Sequence, residues 1–181
     1  MKNLVRFVVL ATVLVFAAKA ADDAANAVHG TVTKVDSSTK TMVVKTKDGT
    51  EHTVHYADKT AVYGADKTAA GAKDTVKGVG EGSEVVVHYT EKGADKTATE
   101  VDKVGKGGLK AVDGTVTKVG EDGKTVVVKS ADGTEHTFAV AGHDTADAAK
   151  GLNKDADKAG KVTVYYTEKS GKKVAHFFEK I

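Results

Sequence analysis

Seven histidines are the side chains in this chain best suited to hold a metal or to carry a proton near neutral pH. His52 and His136 stand out because each sits in the same tetrapeptide, Thr-Glu-His-Thr. His52 and His55 are three apart on an expected strand and so face opposite sides, which makes them poor co-ligands. His143 lies seven residues beyond His136 and reaches it only if the intervening loop folds back. A zinc or copper site would therefore use His136 with His143, or His52 in the first copy. No cysteine offers a thiolate, and no HExxH or related spacing occurs. The competing reading makes His52 and His136 rim residues beside a hairpin turn, with the ring partly packed and one nitrogen bonded to backbone.

Other chemistries find less support. In Glu51-His52 and Glu135-His136, neighbours on a strand point apart, so acid–base pairing is unfavourable. Ser37, Ser38, Ser83, Ser130 and Ser170 occupy turn-like or strand-end positions, and no G-x-S-x-G occurs. The runs Gly78 to Gly82 and Gly105 to Gly108 lack the lysine–hydroxyl ending of a phosphate-binding loop. The expectation is a protein that is not an enzyme and needs no cofactor. Aromatic residues cluster late, at Tyr165, Tyr166, Phe177 and Phe178. Alternation places Tyr166 inside and Tyr165 outside, and one of the two adjacent phenylalanines must face out. Tyr165, Phe177 and Phe178 then form either a contact between units or a patch for a ligand or partner.

These residues are positioned by a duplicated β pattern. Sliding the chain by 84 positions superposes residues 28–53 on 112–137 with 18 of 26 identities. The offset then falls to 77, and Val85-Val86-Val87-His88-Tyr89-Thr90-Glu91-Lys92 lies on Val162-Thr163-Val164-Tyr165-Tyr166-Thr167-Glu168-Lys169. Each copy reads as three strands, an insert, then two strands. The second strand spans Lys40 to Thr46 (Lys124 to Ser130) and the third Thr50 to Tyr56 (Thr134 to Val140), joined by Asp48-Gly49 or Asp132-Gly133, a two-residue hairpin signal. Period-two alternation puts His52, Val54 and Tyr56 on one face, and likewise Val85, Val87 and Tyr89, as in a half-buried antiparallel sheet. Val32 and Val35 are three apart, which calls for a bulge or bend if both point inward. In the inserts, Ala72, Val76 and Val79, and in the second copy Ala148 and Leu152, sit at helical spacing, so one short helix per unit is expected.

The ends and the charge suggest a destination. Residues 1–20 read as a secretory signal, with Lys2 and Arg6 before an apolar stretch and Ala18-Lys19-Ala20 as the cleavage site. The apolar stretch is about 12 residues, short of the roughly 20 needed for a spanning helix, so no stable membrane insertion is expected after cleavage. Cleavage removes Lys2, Arg6 and Lys19, leaving 24 of the 27 basic residues against 25 acidic ones. Arg6 is the sole arginine, so the mature chain lacks the side chain best suited to phosphate and base-edge contacts. No nucleic-acid partner is expected. Pairs such as Asp95-Lys96 and Asp102-Lys103 read as a solvated mixed surface. Residues 21–27 read as a disordered segment, and 105–111 as a flexible Gly/Lys linker between repeats at 28–104 and 112–181.

Gly30-Thr31-Val32, Lys40-Thr41-Met42-Val43-Val44, Asp48-Gly49, Thr60, Val85-Val86-Val87 and Ala98…Val101, with their second-copy partners, resemble the tandem OB-fold-like small β-barrel domains of unknown function found in exported bacterial proteins. The resemblance covers nearly the whole mature chain. It implies a mainly β fold of two five-stranded OB-like Greek-key barrels, each with a short helix between strands 3 and 4, in a periplasmic or secreted setting. It implies no activity. The aromatics that nucleic-acid-binding OB domains expose on strands 2 and 3 are absent here: strand 3 has only Tyr56 and Phe138, both on the expected core face. The expectation is a non-enzymatic binding or scaffold module of the bacterial envelope that recognises a protein or a cell-envelope saccharide. The alternative is a metal- or small-ligand-binding periplasmic stress protein using the repeated histidines.

Overall fold

The computed structural model describes residues 24–64, 76–140, 145, 148–149, 151–152 and 160–181. The expected signal at 1–20, the segment 65–75 and His143 lie outside the described residues. Among the described residues eleven strands dominate: β1 (Ala24–Asp36), β2 (Thr41–Lys45), β3 (Glu51–His55), β4 (Ala61–Tyr63), β5 (Glu84–Lys92), β6 (Asp95–Lys103), β7 (Lys110–Val119), β8 (Thr125–Ser130), β9 (Glu135–Val140), β10 (Lys161–Lys169) and β11 (Lys172–Lys180).

Strands β1–β6 form one sheet in the order β3-β2-β1-β5-β6-β4, and β7–β11 form a closed barrel in the order β10-β11-β9-β8-β7. The two share their registers. In the barrel, β9 meets β11 in parallel through Ala139–Val174 and Val140–Ala175. In the first sheet, β3 meets β6 in parallel through His55–Thr97, the positions that match Ala139 and Val174 in the sequence alignment. Just beyond, β4 takes up the same edge of β6 by pairing Ala61–Glu100, Val62–Val101 and Tyr63–Asp102.

The expected bulge of the first strand is present in both. Register slips between Val32 and Lys34 in β1 and between Val116 and Lys118 in β7. The extra residue lets Val32 and Val35 both turn inward, where they are buried. Alternation fixes the rest of the core: Val54 from β3 and Val85, Val87 and Tyr89 from β5 join Met42, Val44, Ala98 and Val101. Phe138, Val162, Val164 and Tyr166 do the same in the barrel with Val126 and Val128. Each buried valine contributes about 1.5–3 kcal/mol relative to exposure, so these stripes account for the sheets' inward faces.

Several local expectations require correction. The Asp48-Gly49 turn is a three-residue loop, closed by Thr46 N–H donating to the Thr50 carbonyl and Gly49 N–H to the Thr46 carbonyl, with Gly49 at φ 88°. Asp48 bridges it by accepting from the Thr46 hydroxyl and, at 3.0 Å, from Thr50 N–H. Residues 24–27, read as disordered, begin β1 and pair with Glu91 to His88, because the nine residues of β5 extend past Gly30 and need partners.

Of the stretch 105–111, read as a flexible linker, residues 105–109 form a tight turn and Lys110 and Ala111 already belong to β7. Gly105 N–H bonds the Leu109 carbonyl, Leu109 N–H bonds the Lys103 carbonyl, and Leu109 is fully buried. Gly108 serves close approach: a methyl on it would lie 1.8 Å from the Lys103 carbonyl oxygen, and one on Gly64 would lie 2.4 Å from the Gly108 Cα. Among the described residues the expected helices are not found as elements. In the first insert the described residues are β4 and an antiparallel Val76–Val79 bridge, with Lys77 and Gly78 both at positive φ, a conformation no helix accommodates. In the second, helical backbone is described only at Thr145, Ala148, Ala149, Gly151 and Leu152. There Ala149, and not Ala148, joins Leu152 in the core, which makes Thr145, Ala149 and Leu152 the inward positions.

Candidate functional site

The outer faces of the two sheets meet along a seam. Val86, Leu109 and Tyr165 form a small buried cluster there, with Ala27, Val104 and Phe177 packed against it. Val86 is the outward residue of the run Val85-Val86-Val87, and Tyr165 is outward in Val162 to Tyr166. Both strands are therefore buried on two sides at this point.

The aromatic residues singled out from sequence are consumed in this packing. Tyr165 is buried against Phe177, with ring centroids 6.0 Å apart, and Phe178 points into the barrel core. An exposed aromatic patch at Tyr165, Phe177 and Phe178 is therefore not formed. Tyr165 instead anchors one end of a polar network. Its hydroxyl donates to Glu179 Oε2 at 3.0 Å and lies 3.1 Å from His29 Nδ1. The His29 ring packs on it at 4.4 Å, and His29 Nε2 meets Glu84 Oε1 at 2.9 Å. Burial, then the bond to Glu179 and the surrounding carboxylates, pushes the Tyr165 phenol well above its ordinary range.

The other end of the seam is built from β5, β6 and β11. Asp102 is completely buried, against the expectation that Asp102-Lys103 is solvated surface. His88 Nε2 and His176 Nδ1 each stand 3.6 Å from Asp102 Oδ2. That separation is too long for a hydrogen bond. Neither Asp102 oxygen nor His88 Nε2 has a hydrogen-bond partner among the described residues. His176 reaches this point because it is the extra residue of a bulge: Tyr165 pairs with Phe177 and Tyr166 with Ala175, which leaves His176 unopposed. Its Nε2 lies 3.1 Å from the Thr167 hydroxyl, and its carbonyl accepts from the Thr145 hydroxyl. Burial lowers the His176 pKa against the opposing pull of Asp102. Burial, and then the charge of Asp102, raises that of Glu100. A cleft of about 230 Å³, lined by His88, Thr145, His176 and Phe177 among others, opens onto the two imidazoles.

The repeated histidines lie elsewhere. Lys96 Nζ is 3.2 Å from His52 Nδ1, and Lys173 Nζ is 2.7 Å from His136 Nδ1. His136 Nε2 also lies 3.1 Å from the Ser130 hydroxyl. These rings are half-buried near the hairpin turns, and the polar partner is a lysine where a backbone group was expected. A lysine on Nδ1 competes with any metal for that lone pair.

A second feature recurs in both sheets. A groove of about 440 Å³ runs over Gly30, Thr31, Thr33, Lys45 and Thr46, ending at Glu84. A groove of about 550 Å³ runs over Gly114, Thr115, Thr117, Lys129 and Ser130, ending at Lys161. These are matching positions in the aligned copies. The glycine at the floor of each lets the strands cross closely, since a methyl on Gly30 would lie 2.4 Å from the Lys45 carbonyl oxygen.

No known protein family and no curated protein matches the chain. Among the described residues no helix is long and apolar enough to cross a membrane.

Proposed function

We propose that the protein is an exported, non-enzymatic binding module made of two tandem OB-like units, acting in the periplasm or outside the cell on a cell-envelope saccharide with anionic groups. The observation that carries this reading is the groove found at matching positions of both sheets, lined by threonine or serine hydroxyls and lysines, with one carboxylate in each, Glu84 in the first and Asp113 in the second. Hydroxyls and ammonium groups recognise sugar hydroxyls and carboxylates or phosphates, and they do so without a nucleophile or a base. Two such grooves on one body suit a repeating polymer, because the second engagement is intramolecular and raises the overall affinity without new contacts. The shared β order and registers, the bulges and the Thr60 hydroxyl bonded to the Ala98 carbonyl support the OB-like reading.

Thermal shift of the mature chain with envelope polymers tests this, since a ligand that binds only the native state raises the midpoint. Anionic wall fragments should raise it, and the double variant Lys45→Glu, Lys129→Glu should abolish the rise. A rise that the double variant retains, or none at all, would set the reading aside. A rise with neutral fragments or envelope proteins alone would point to a different partner class.

A further inference from the structure

The Asp102 end of the seam shares no residue with the two grooves and carries chemistry they do not use. A fully buried carboxylate without a hydrogen-bond partner is costly, because its charge has left water and nothing has replaced the water. Asp102 is in that position, with two imidazole nitrogens each 3.6 Å from the same oxygen. The geometry points to a site for one divalent transition-metal ion, of the zinc or copper class, bound by Asp102, His88 and His176 between the two sheets.

Three observations lead there. First, the two N···O separations of 3.6 Å exceed hydrogen-bond length. Two ligands about 2.1 Å from a tetrahedral ion lie roughly 3.4 Å apart, which is close to what is seen. Second, the donor set of imidazole and carboxylate is the one that suits zinc and copper. The other nitrogen of His176 already meets the Thr167 hydroxyl, the kind of outer contact that fixes a ligating ring. Third, both imidazole rings line the cleft, so the ring movement that binds an ion would also open the buried Asp102 oxygens to it. Among the described residues no group of three or more acidic or imidazole side chains is already placed to hold a metal ion. Binding therefore includes a small closure of the two rings onto the carboxylate. The bulge at His176 and the unpartnered Nε2 of His88 leave that movement unopposed by any bond that must break at those atoms.

The test uses the full mature chain, stripped with chelator and titrated with Zn²⁺ by calorimetry and with Co²⁺ by visible absorption. One ion per chain is expected, with affinity falling tenfold or more in Asp102→Asn and in His176→Gln, and unchanged in the double variant His52→Gln, His136→Gln. Circular dichroism confirms that each variant is folded. If Asp102→Asn fails to fold, imidazole NMR of the unaltered chain decides, because Zn²⁺ should shift the ring signals of His88 and His176. Absence of saturable binding, binding undiminished in a folded Asp102→Asn chain, or ring shifts confined to other histidines would overturn the proposal.

Discussion

Lys173 places its ammonium 2.7 Å from Nδ1 of His136, and Lys96 repeats the contact with His52 at 3.2 Å. An ammonium only donates, so Nδ1 must accept, and the proton of the neutral ring sits on Nε2. From there it donates to the Ser130 hydroxyl, which donates in turn to Asp132 Oδ1 at 2.6 Å. Serine, histidine and aspartate are thus neighbours, but the protons run from the ring toward the serine, the reverse of what activating a hydroxyl requires. The arrangement braces the β8–β9 turn.

That brace makes Asp132 an unusually strong acid. The Ser130 hydroxyl, then the Thr134 N–H, holds its carboxyl down to about 2 from an ordinary 3.8. A depressed folded value means that the stabilisation is complete above the unfolded pKa and is lost as pH falls from about 4 to about 2. Carbon-13 NMR should find the Asp132 midpoint near that lower limit, and Ser130→Ala should move it back toward 3.8. An unmoved midpoint would show that the serine is not the cause.

Gly30 and Gly114 should resist substitution. A methyl on Gly114 would lie 2.6 Å from the Lys129 carbonyl oxygen and 2.5 Å from Val128 Cγ1. Gly114→Ala should destabilise the barrel by about 1–3 kcal/mol, as overpacking does, and Gly30→Ala should act alike in the first sheet. Urea unfolding measures both.

Phe138 is fully buried and meets Tyr166 edge-on at 5.1 Å. Phe138→Ala should cost about 3–5 kcal/mol, enough to unfold a marginal barrel. Near-ultraviolet circular dichroism would report the loss of fixed tyrosine packing there while the first sheet's amide signals persist in NMR.

Tyr165 should be the last tyrosine to ionise. Because its folded pKa lies above the unfolded value of 10.0, seam stability should decline as pH rises past that value. Tyr165→Phe should remove the latest step of an alkaline absorbance titration. It should also cost about 1.5–3 kcal/mol at neutral pH, the range for a hydrogen bond to a charged acceptor.

The parts of this fold that follow period two were legible in the sequence: β2, β3, β5 and their counterparts, the core stripes, and even the bulge demanded by Val32 and Val35. The turn at 105–109 is not legible as a turn because its glycines suggest freedom, whereas Gly108 lets the backbone pass close to Lys103, whose carbonyl oxygen a methyl would meet at 1.8 Å. The seam was legible only as an oddity, the apolar Val86 and the aromatic Tyr165 on faces that should be wet. Its polar cluster was hidden because the two copies differ at just these places. His88, Glu100 and Asp102 correspond to Tyr165, Phe177 and Glu179, so the repeat offered no second instance of the pattern. Asp102 also sits beside Lys103, in a doublet like the solvated ones around it. Contacts far apart in the chain, such as His176 with Asp102, cannot be read from spacing along it.

Closure of the strand ladders has a consequence for how this valine-rich chain behaves in a crowd. Where β11 meets β9, and where β3 and β4 together line β6, the backbone groups that could recruit a foreign strand are already engaged. Among the described residues, the outer side of three-residue β4 is the short margin left over in the first sheet. Fibril growth needs a longer template than that, so a closed barrel and a sheet with one short open margin give a β-prone polypeptide a way to stay dispersed.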